Sequence, residues 1–175
     1  MKLGAKELRK YSPTEEERAK IRRNPIYLIL DNIIDTYNTG AIFRLADAVA
    51  AEKIYLCGET LTPPNHRIKK ASVDTWQWVP WEYLPTALDA VAKLKAQNSK
   101  LKVIAVEQHK KSIPYSQMKV EFPIALVVGH ETDGVSRDIL EIADQIVEIP
   151  MWGVNKSLNV MVSLSIVLFE VMKHL

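Results

Sequence analysis

The chain has 175 residues, of which 47% are hydrophobic and 25% charged, so it can bury one substantial core and is too short for two comfortable ones. Its 23 basic and 21 acidic residues give a formal net charge of +2, which excludes an overwhelming positive field, so any nucleic-acid binding must come from local patches. The single cysteine, Cys57, excludes an intrachain disulfide and a multi-cysteine metal site.

The compartment and the assembly state follow from the two ends of the chain. The N-terminus lacks the apolar core of a signal peptide, and the apolar run Leu158–Met172 is shorter than the roughly 20 residues that a membrane span requires. We therefore expect a cytoplasmic protein.

Within the last predicted helix, Ser163, Glu170 and His174 form only a narrow polar stripe. One sheet face cannot bury the remaining circumference, so we expect a homodimer.

The predicted elements alternate between strands and helices. Residues 1–24 form a basic arm with a helix that begins near Ser12-Pro13-Thr14, where an N-cap and a proline precede first-turn acids. From Pro25 onward we predict, in chain order, a strand at Ile26–Leu30, a helix at Thr39–Ala50, a strand at Lys53–Cys57, a loop "GETLTPPNHRIKKAS", a strand at Trp76–Val79, a helix at Leu84–Gln97, a strand at Lys102–Val106, a linker with Pro114, a strand at Ile124–Val128, a helix at Ser136–Ala143, a strand at Gln145–Ile149, and the last helix. This pattern is typical of an α/β domain, residues 25–175, with a mostly parallel sheet flanked by helices.

Three polar, glycine-bearing loops come directly after predicted strands. They are "DNIIDTYNTG" after the first strand, "GHETDG" after Val128, and "PMWGVNKS" after Ile149. In a mostly parallel sheet these loops emerge at one edge, where open α/β folds bind ligands. Each glycine could serve only its own turn, and each Ser or Asn could cap only its own helix. Three such loops with surplus polar groups favour one shared site.

Several familiar site types find no match in the sequence. There is no GxxxxGK[ST] motif, and no GxGxxG follows the first strand, which disfavours phosphoryl transfer and ordinary dinucleotide binding. The four histidines show no metal-ligand spacing, so we predict no metal site. No Ser-His-Asp arrangement on a nucleophile elbow is visible either.

Together the three loops resemble the ordered motifs of a known family. The stretches "NTGAIFRLADA" (Asn38 to Ala48), "VVGHETDGVS" (Val127 to Ser136) and "IPMWGVNKSLNV" (Ile149 to Val160) are similar to the three motifs of the SpoU, or TrmH-like, RNA ribose 2′-O-methyltransferases of the SPOUT superfamily. The resemblance covers roughly Pro25 to the C-terminus. It implies a SPOUT-type fold whose C-terminal segment threads a deep trefoil knot, and a dimer with its cofactor site near the subunit interface.

The resemblance also implies a cofactor, S-adenosylmethionine, held by the second and third motifs. The residues that it assigns to cofactor binding are Val128, Gly129, Ile149, Met151, Ser157 and Leu158. In this interpretation the start of the last helix offers free backbone N–H groups and the Ser157 hydroxyl to the cofactor.

Four residues are assigned to catalysis on the same basis. The resemblance makes Arg44 the catalytic residue. Because arginine stays protonated, we interpret Arg44 as a cation that stabilises a developing alkoxide. The alternative is a structural role, in which Arg44 pairs with Asp47 or Glu131 on the surface. Asn38 either caps the following helix or binds the substrate ribose. Glu131 either orients Arg44 or shapes its own loop. Asn159, inside the first turn of the last helix, is better explained by a site contact than by helix propensity.

RNA binding requires basic and aromatic surface. The segment "NHRIKKAS" places Arg67, Lys69 and Lys70 beside the predicted site, and the arm contributes Arg22 and Arg23. Such charge runs are often only solvated faces. Trp76 and Trp78 have strand spacing and are more often core than a base-stacking platform. Many members of the family have Gly-Ala where this chain has Val73-Asp74.

The leading hypothesis is an S-adenosylmethionine-dependent methyltransferase acting on a ribose 2′-hydroxyl in tRNA or rRNA, with tRNA weakly preferred. The alternative is a catalytically silent RNA-binding module on the same scaffold, which would require the arm and the basic loop but not the motif residues. A nucleotide-binding α/β protein unrelated to RNA is a third possibility.

Overall fold

The computed structural model describes residues 2–175. Within that range the chain forms seven strands: β1 (Asn24–Asp31), β2 (Ala51–Cys57), β3 (Trp81–Leu84), β4 (Lys102–Val106), β5 (Ile113–Pro114), β6 (Ile124–Gly129) and β7 (Gln145–Glu148). The same range contains seven α-helices: α1 (Ala5–Leu8), α2 (Glu15–Ala19), α3 (Thr36–Ala48), α4 (His66–Ser72), α5 (Ala87–Gln97), α6 (Arg137–Ile142) and α7 (Val160–Met172). The alternation confirms the predicted α/β class.

The strands form one sheet in the order β3-β2-β1-β6-β4-β7-β5, and every neighbouring pair is parallel. This confirms the predicted parallel sheet. From β1 the chain builds outward through β2 and β3 on one side, whereas β4, β7 and β5 lie on the other side. The strand order therefore reverses near β1 and β6, and open α/β sheets bind ligands beyond the carboxyl ends of the strands at such a point.

Helices cover both faces of the sheet. Side chains alternate along β1, so that Leu28 and Leu30 join a core that includes α3 and α7, whereas Ile29 joins a second core that includes α5 and α6. All three are fully buried. The two cores hold the carboxyl ends of the strands at fixed positions relative to the starts of α3 and α7.

Helix α7 has more apolar surface than the rest of the chain covers. It buries one stripe, which consists of Leu164, Val167, Leu168 and Val171. On another stripe Val162 is 37% exposed and Phe169 is 52% exposed. The fold alone thus leaves large hydrophobic side chains of this helix in contact with solvent.

The strand predicted at Trp76–Val79 is wrong. The segment begins with a 3-10 turn, Thr75–Gln77, and the strand at this edge of the sheet is β3. The Asp74 carboxylate accepts hydrogen bonds of 3.3 Å from the indole of Trp76 and from the side-chain amide of Gln77. Such local bonds compete with strand formation.

The segment predicted as a loop at "NHRIKKAS" also differs, because His66–Ser72 forms α4. The Asn65 side chain accepts hydrogen bonds from two backbone N–H groups of the first turn, which is the usual N-cap arrangement. Helix α4 packs closely on α3 at Gly40. A Cβ at that position would lie 2.6 Å from the Cβ of Ala71, so the glycine of the first motif permits the approach of the two helices.

The N-terminal arm folds against the amino ends of β1 and β2. A helix was predicted to begin near Ser12-Pro13-Thr14, and α2 begins there with Thr14 as its cap. The ring of Tyr11 stacks on Trp78 with centroids 6.1 Å apart, and the Arg23 guanidinium donates hydrogen bonds to the carbonyls of Ala51 at 3.1 Å and Trp78 at 2.7 Å. The arm therefore lies at the amino ends of the strands, on the side of the sheet opposite to their carboxyl ends.

Candidate active site

A cavity of about 260 Å³ opens at the carboxyl edge of the sheet, between the segments that follow β4, β6 and β7. All six residues predicted to bind a cofactor border it: Val128, Gly129, Ile149, Met151, Ser157 and Leu158. Glu107 and Glu131 border it as well. The fold thus brings the second and third motifs together, and contact of these residues with a cofactor stays a prediction.

The carboxylate of Glu131 joins the second motif to the first. One oxygen accepts hydrogen bonds from the backbone of Asp35 at 3.1 Å and the side-chain amide of Asn38 at 3.0 Å, and the other accepts from the backbone of Ile34 at 3.2 Å. Burial, the largest single influence, raises the pKa of Glu131, but these donors together outweigh it and hold the pKa below its usual value. Glu131 is therefore an ionised acceptor that organises the start of α3.

Asn38 and Asn159 join the first motif to the third. The side-chain oxygen of Asn38 accepts a hydrogen bond of 2.9 Å from the amide of Asn159. The side-chain oxygen of Asn159 accepts one of 2.9 Å from the backbone of Met161. A continuous relay of hydrogen bonds therefore runs from the first turn of α7 through Asn159 and Asn38 to Glu131.

Two expectations about helix caps are wrong. The cap of α3 is Asp35, whose side chain accepts from the backbone of Tyr37 at 2.8 Å, so Asn38 does not cap this helix and lies buried within it. Asn159 is the cap of α7 and not a residue of its first turn. It can cap the helix and contact Asn38 together, because a side-chain amide carries both an acceptor and donors.

Two carboxylates that fix the second-motif loop were missed by the sequence analysis. Glu107 accepts a hydrogen bond of 2.9 Å from the backbone of Val135, and Asp31 accepts one of 2.9 Å from the backbone of Ser136. At Gly134, where φ is +73°, a Cβ would lie 2.1 Å from a Glu107 carboxylate oxygen, so any other residue would strain the backbone and displace Glu107. Both acids come directly after predicted strands, and this position is the signal that could have identified them.

Arg44 is exposed and does not border the cavity. It comes six positions after Asn38, which places it about 9 Å further along the helix axis. It lies one turn beyond Gly40, on the side of α3 that faces α4. Within residues 2–175 it forms no ion pair with Asp47 or Glu131, so the predicted alternative of a structural pair is not observed.

The predicted RNA-binding residues fall into two separate groups. Arg67, Lys69 and Lys70 are exposed on α4, and the Lys69 ammonium lies 4.0 Å from Asp74. Arg22 and Arg23 lie at the opposite edge of the sheet from the cavity. The guanidinium of Arg23 is engaged by backbone carbonyls, which gives it a structural role, so RNA contact is a weaker prediction for Arg23 than for the exposed side chain of Arg22.

The third-motif loop is the most exposed part of the site. Trp152 is 92% exposed, and Ser157 lies in the loop before α7, with its backbone N–H bonded to the side chain of Asn155 at 3.2 Å. The side-chain amide of Gln108 donates to the carbonyl of Lys156. This contact ties the third-motif loop to the segment that follows β4.

Three other features bear on the chemistry of the chain. No three His, Cys, Asp or Glu side chains within residues 2–175 are grouped so that they could hold a metal ion. The same residues include no α-helix with the length and hydropathy needed to span a bilayer. Burial raises the pKa of the Cys57 thiol to about 12, so this side chain stays protonated at neutral pH.

Comparison with known proteins identifies relatives of the chain. The profile of the SpoU rRNA Methylase family matches residues 25–169. The tRNA (guanosine(18)-2'-O)-methyltransferase of Aquifex aeolicus is 29% identical over 163 residues, which cover 87% of this chain and 71% of that protein. The 23S rRNA (guanosine-2'-O-)-methyltransferase RlmB of Haemophilus influenzae is 32% identical over 153 residues, which cover 87% of this chain and 61% of that protein. The chain thus spans less than two thirds of the second relative.

Solved structures show the same fold. The AdoMet-bound rRNA methyltransferase from Sinorhizobium meliloti superposes with a TM-score of 0.79 at 28% identity, covering 96% of this chain and 60% of that one. The TrmH/SpoU tRNA modifying enzyme of Aquifex aeolicus superposes with a TM-score of 0.77 at 28% identity, covering 97% of this chain and 81% of that one.

Proposed function

Because the chain belongs to the SpoU rRNA Methylase family, we propose that it transfers a methyl group from S-adenosylmethionine to a ribose 2′-hydroxyl of RNA. The proposal rests mainly on the hydrogen bonds that join Asn38, Glu131 and Asn159 beside one cavity. Each of these residues belongs to a different motif. An α/β protein in which each loop served only its own turn would not require these contacts between loops.

The cavity fits the proposed cofactor. Val128, Ile149 and Met151 supply an apolar wall suited to an adenine ring, and the Ser157 hydroxyl and the Glu107 carboxylate add polar groups. The Sinorhizobium meliloti relative is an AdoMet-bound structure. In this chain the six predicted residues would hold the cofactor, which when bound supplies the methyl group.

The chain itself would supply positioning and charge, which can provide most of the catalysis for such a transfer. The guanidinium of arginine is a permanent cation, so Arg44 would stabilise the negative charge that develops on the ribose oxygen, while the proton passes to a phosphate or to water. Both ends of the Asn38 amide are already engaged. Asn38, Glu131 and Asn159 would therefore act as positioning residues that hold the three motifs together.

The proposed enzyme works as a homodimer in which the partner's Arg44 reaches the cavity. Two observations support this arrangement: Arg44 does not border the cavity of its own chain, and α7 leaves Val162 and Phe169 exposed. Trp152, on the loop beside the cavity, is exposed as well. A second copy placed on these side chains would bury them close to the site and could bring a cation to it.

The proposed fold includes a C-terminal trefoil knot, although general connectivity rules disfavour knots. Residues 107–123 leave β4, add β5 beyond β7, and return to β6. Helix α7 packs against β4, β6 and the 3-10 turn Tyr115–Gln117 of that returning segment. A C-terminal segment threaded beneath residues 107–123 would make these contacts.

The substrate proposed first is transfer RNA, because the Aquifex aeolicus relative, of which 71% is covered, is named for tRNA. Ribosomal RNA is the second candidate, because the Haemophilus influenzae relative is named for 23S rRNA. We place the proposed activity in the cytoplasm, where both classes of RNA occur.

Calorimetric titration with S-adenosylmethionine, followed by a transfer assay with a radiolabelled methyl group, tests the proposal. Unmodified tRNA and 23S rRNA transcripts serve as acceptors, and resistance of the modified nucleotide to alkaline cleavage identifies a 2′-O-methyl group. A silent RNA-binding module would bind RNA and give no heat with S-adenosylmethionine. A nucleotide-binding protein would give heat with ATP and would not bind tRNA.

A further inference from the structure

Three lysines lie on the two loops that frame the cavity, and the function proposed above uses none of them. Lys110 and Lys111 follow the cavity residue Gln108 on the segment after β4, and Lys156 precedes the cavity residue Ser157 on the third-motif loop. All three lysines are exposed. Together these three lysines form the basic rim of the cavity.

Hydrogen bonds hold the two loops of the basic rim together. The Gln108 side chain donates to the carbonyl of Lys156, which connects the loops directly. The Ser112 hydroxyl lies 2.6 Å from the carbonyl of His109 and 2.6 Å from the Glu148 carboxylate. The turn that carries Lys110 and Lys111 is therefore anchored to β7, and the loop that carries Lys156 is bonded to the same segment.

The charges of the basic rim are not neutralised by the chain. None of the three lysines forms an ion pair with any carboxylate in residues 2–175. The nearby carboxylates Glu107 and Glu148 accept hydrogen bonds from other groups. Glu131 and Asp133 are exposed on a different loop, the second-motif loop. The two loops of the basic rim therefore carry three cations without a carboxylate partner in the described part of the chain.

We propose that the basic rim binds the backbone phosphates that flank the target ribose of the substrate RNA. This inference rests on the proposed function, which requires a ribose 2′-hydroxyl to reach the cavity. A ribose is joined to a phosphate on each side, so the phosphates next to the target must lie at the cavity mouth. Three free ammonium groups there would neutralise them and release counterions. These contacts position the RNA and carry no sequence information.

The variant Lys110→Ala/Lys111→Ala/Lys156→Ala tests the proposal against a matched control, Lys95→Ala/Lys100→Ala/Lys119→Ala. The control also removes three lysines that form no ion pair within residues 2–175. Two of them, Lys100 and Lys119, precede strands β4 and β6 and therefore lie at the end of the sheet opposite to the cavity. Binding of a fluorescent unmodified tRNA transcript is measured over a salt series. Calorimetry with S-adenosylmethionine is run on each protein.

The basic-rim variant is expected to bind tRNA about tenfold more weakly at 0.1 M salt, and its slope of log affinity against log salt is expected to fall by about 2. Its affinity for S-adenosylmethionine should match that of the unchanged protein. Equal losses in the control variant, or an unchanged slope in the basic-rim variant, would overturn the inference. If the unchanged protein gives no heat with S-adenosylmethionine, the proposed function fails instead, whatever the lysine variants do.

Discussion

The side chain of Asn159 donates a hydrogen bond of 2.9 Å to the side-chain oxygen of Asn38, although 121 residues separate the two in sequence. Asn38 donates in turn to Glu131, so hydrogen bonds between side chains join the start of α7, the start of α3 and the loop after β6. A substitution at the start of either helix is therefore expected to alter the positions of the residues that border the cavity.

Two substitutions at Asn159 separate its cap from its contact with Asn38. Asn159→Ala removes both and is expected to lower the free energy of unfolding by about 1 kcal/mol through the lost cap. Asn159→Ser keeps a capping oxygen but is too short to reach Asn38, so stability should be largely retained while methyl transfer falls. Urea unfolding and initial rates measure the two effects. Full activity of Asn159→Ser would show that the contact with Asn38 is dispensable.

The lowered pKa of Glu131 predicts a pH dependence of stability. The folded chain favours the ionised carboxylate, so its contribution is present above the ordinary glutamate pKa and is lost as pH falls through the lowered value. Glu131→Gln removes the titrating group. The stability difference between the unchanged protein and this variant should be largest near neutral pH and should shrink below about pH 4.

Urea unfolding at a series of pH values measures this difference. Glu141→Gln, at an exposed position on α6, is the matched control and should show no comparable trend. A Glu131→Gln difference that stayed constant over the whole pH range would mean that the donors around Glu131 do not favour its ionised form.

Local sequence patterns predicted the buried strands and the edge of the sheet where a site would form, whereas the six cofactor residues that border the cavity came from the resemblance to the SpoU family. Continuous apolar runs indicated β1, β4 and β6, and glycine-bearing loops after the strands indicated where a site would form. The region around Val73 and Asp74 could not be predicted in this way. Both residues adopt positive φ, +55° and +64°, which valine rarely does, and the surrounding packing must impose it.

The residues that were predicted to be catalytic show a similar division. The motif match selected Asn38, Glu131 and Asn159, but their contacts depend on how α3 and α7 are placed by the two cores of the sheet. The position of Arg44 away from the cavity depends on which side of α3 packs against α4. The sequence alone does not reveal that packing.

Removing the Glu107 carboxylate should weaken cofactor binding without unfolding the chain. Its hydrogen bond to the backbone of Val135 sets the shape of the second-motif loop, and loss of a charged acceptor costs about 1.5 kcal/mol, which is about tenfold in affinity. Calorimetric titration of Glu107→Ala with S-adenosylmethionine measures the change.

Gly134→Ala provides a check on the same interaction, because its Cβ would collide with the Glu107 carboxylate. If the collision causes the loss, the double variant Glu107→Ala/Gly134→Ala should bind the cofactor better than the sum of the two single losses predicts. Strict additivity would show that Glu107 and Gly134 act independently.

Arg44→Ala should leave affinity for S-adenosylmethionine within a few fold and abolish methyl transfer. The reason is that Arg44 does not border the cavity, whereas its charge is proposed to stabilise the developing negative charge of the reaction. Arg67→Ala, which removes another exposed arginine, is the control and should affect the KM for RNA more than kcat. Loss of cofactor binding in Arg44→Ala would instead give this residue a role in the structure of the site.

A mixed dimer tests whether Arg44 acts across the subunit interface. Arg44→Ala keeps its cavity but lacks the cation, and Ser157→Trp keeps the cation but fills the mouth of its cavity. Each protein alone should be inactive. If the partner's Arg44 completes the site, a statistically mixed population should recover about a quarter of the unchanged activity, because half of the dimers are mixed and each mixed dimer has one complete site.

The two chains are co-expressed with different affinity tags. Mixed dimers isolated by two successive purification steps should then recover about half of the unchanged activity, because one of their two sites is complete. Calorimetry on Ser157→Trp alone must first show that it gives no heat with S-adenosylmethionine. If Arg44 served its own cavity, no dimer of these two chains would contain a complete site, and the mixture would remain inactive. Introducing Phe169→Glu into both chains should also prevent recovery, because a charge on the exposed face of α7 would oppose association of the two copies.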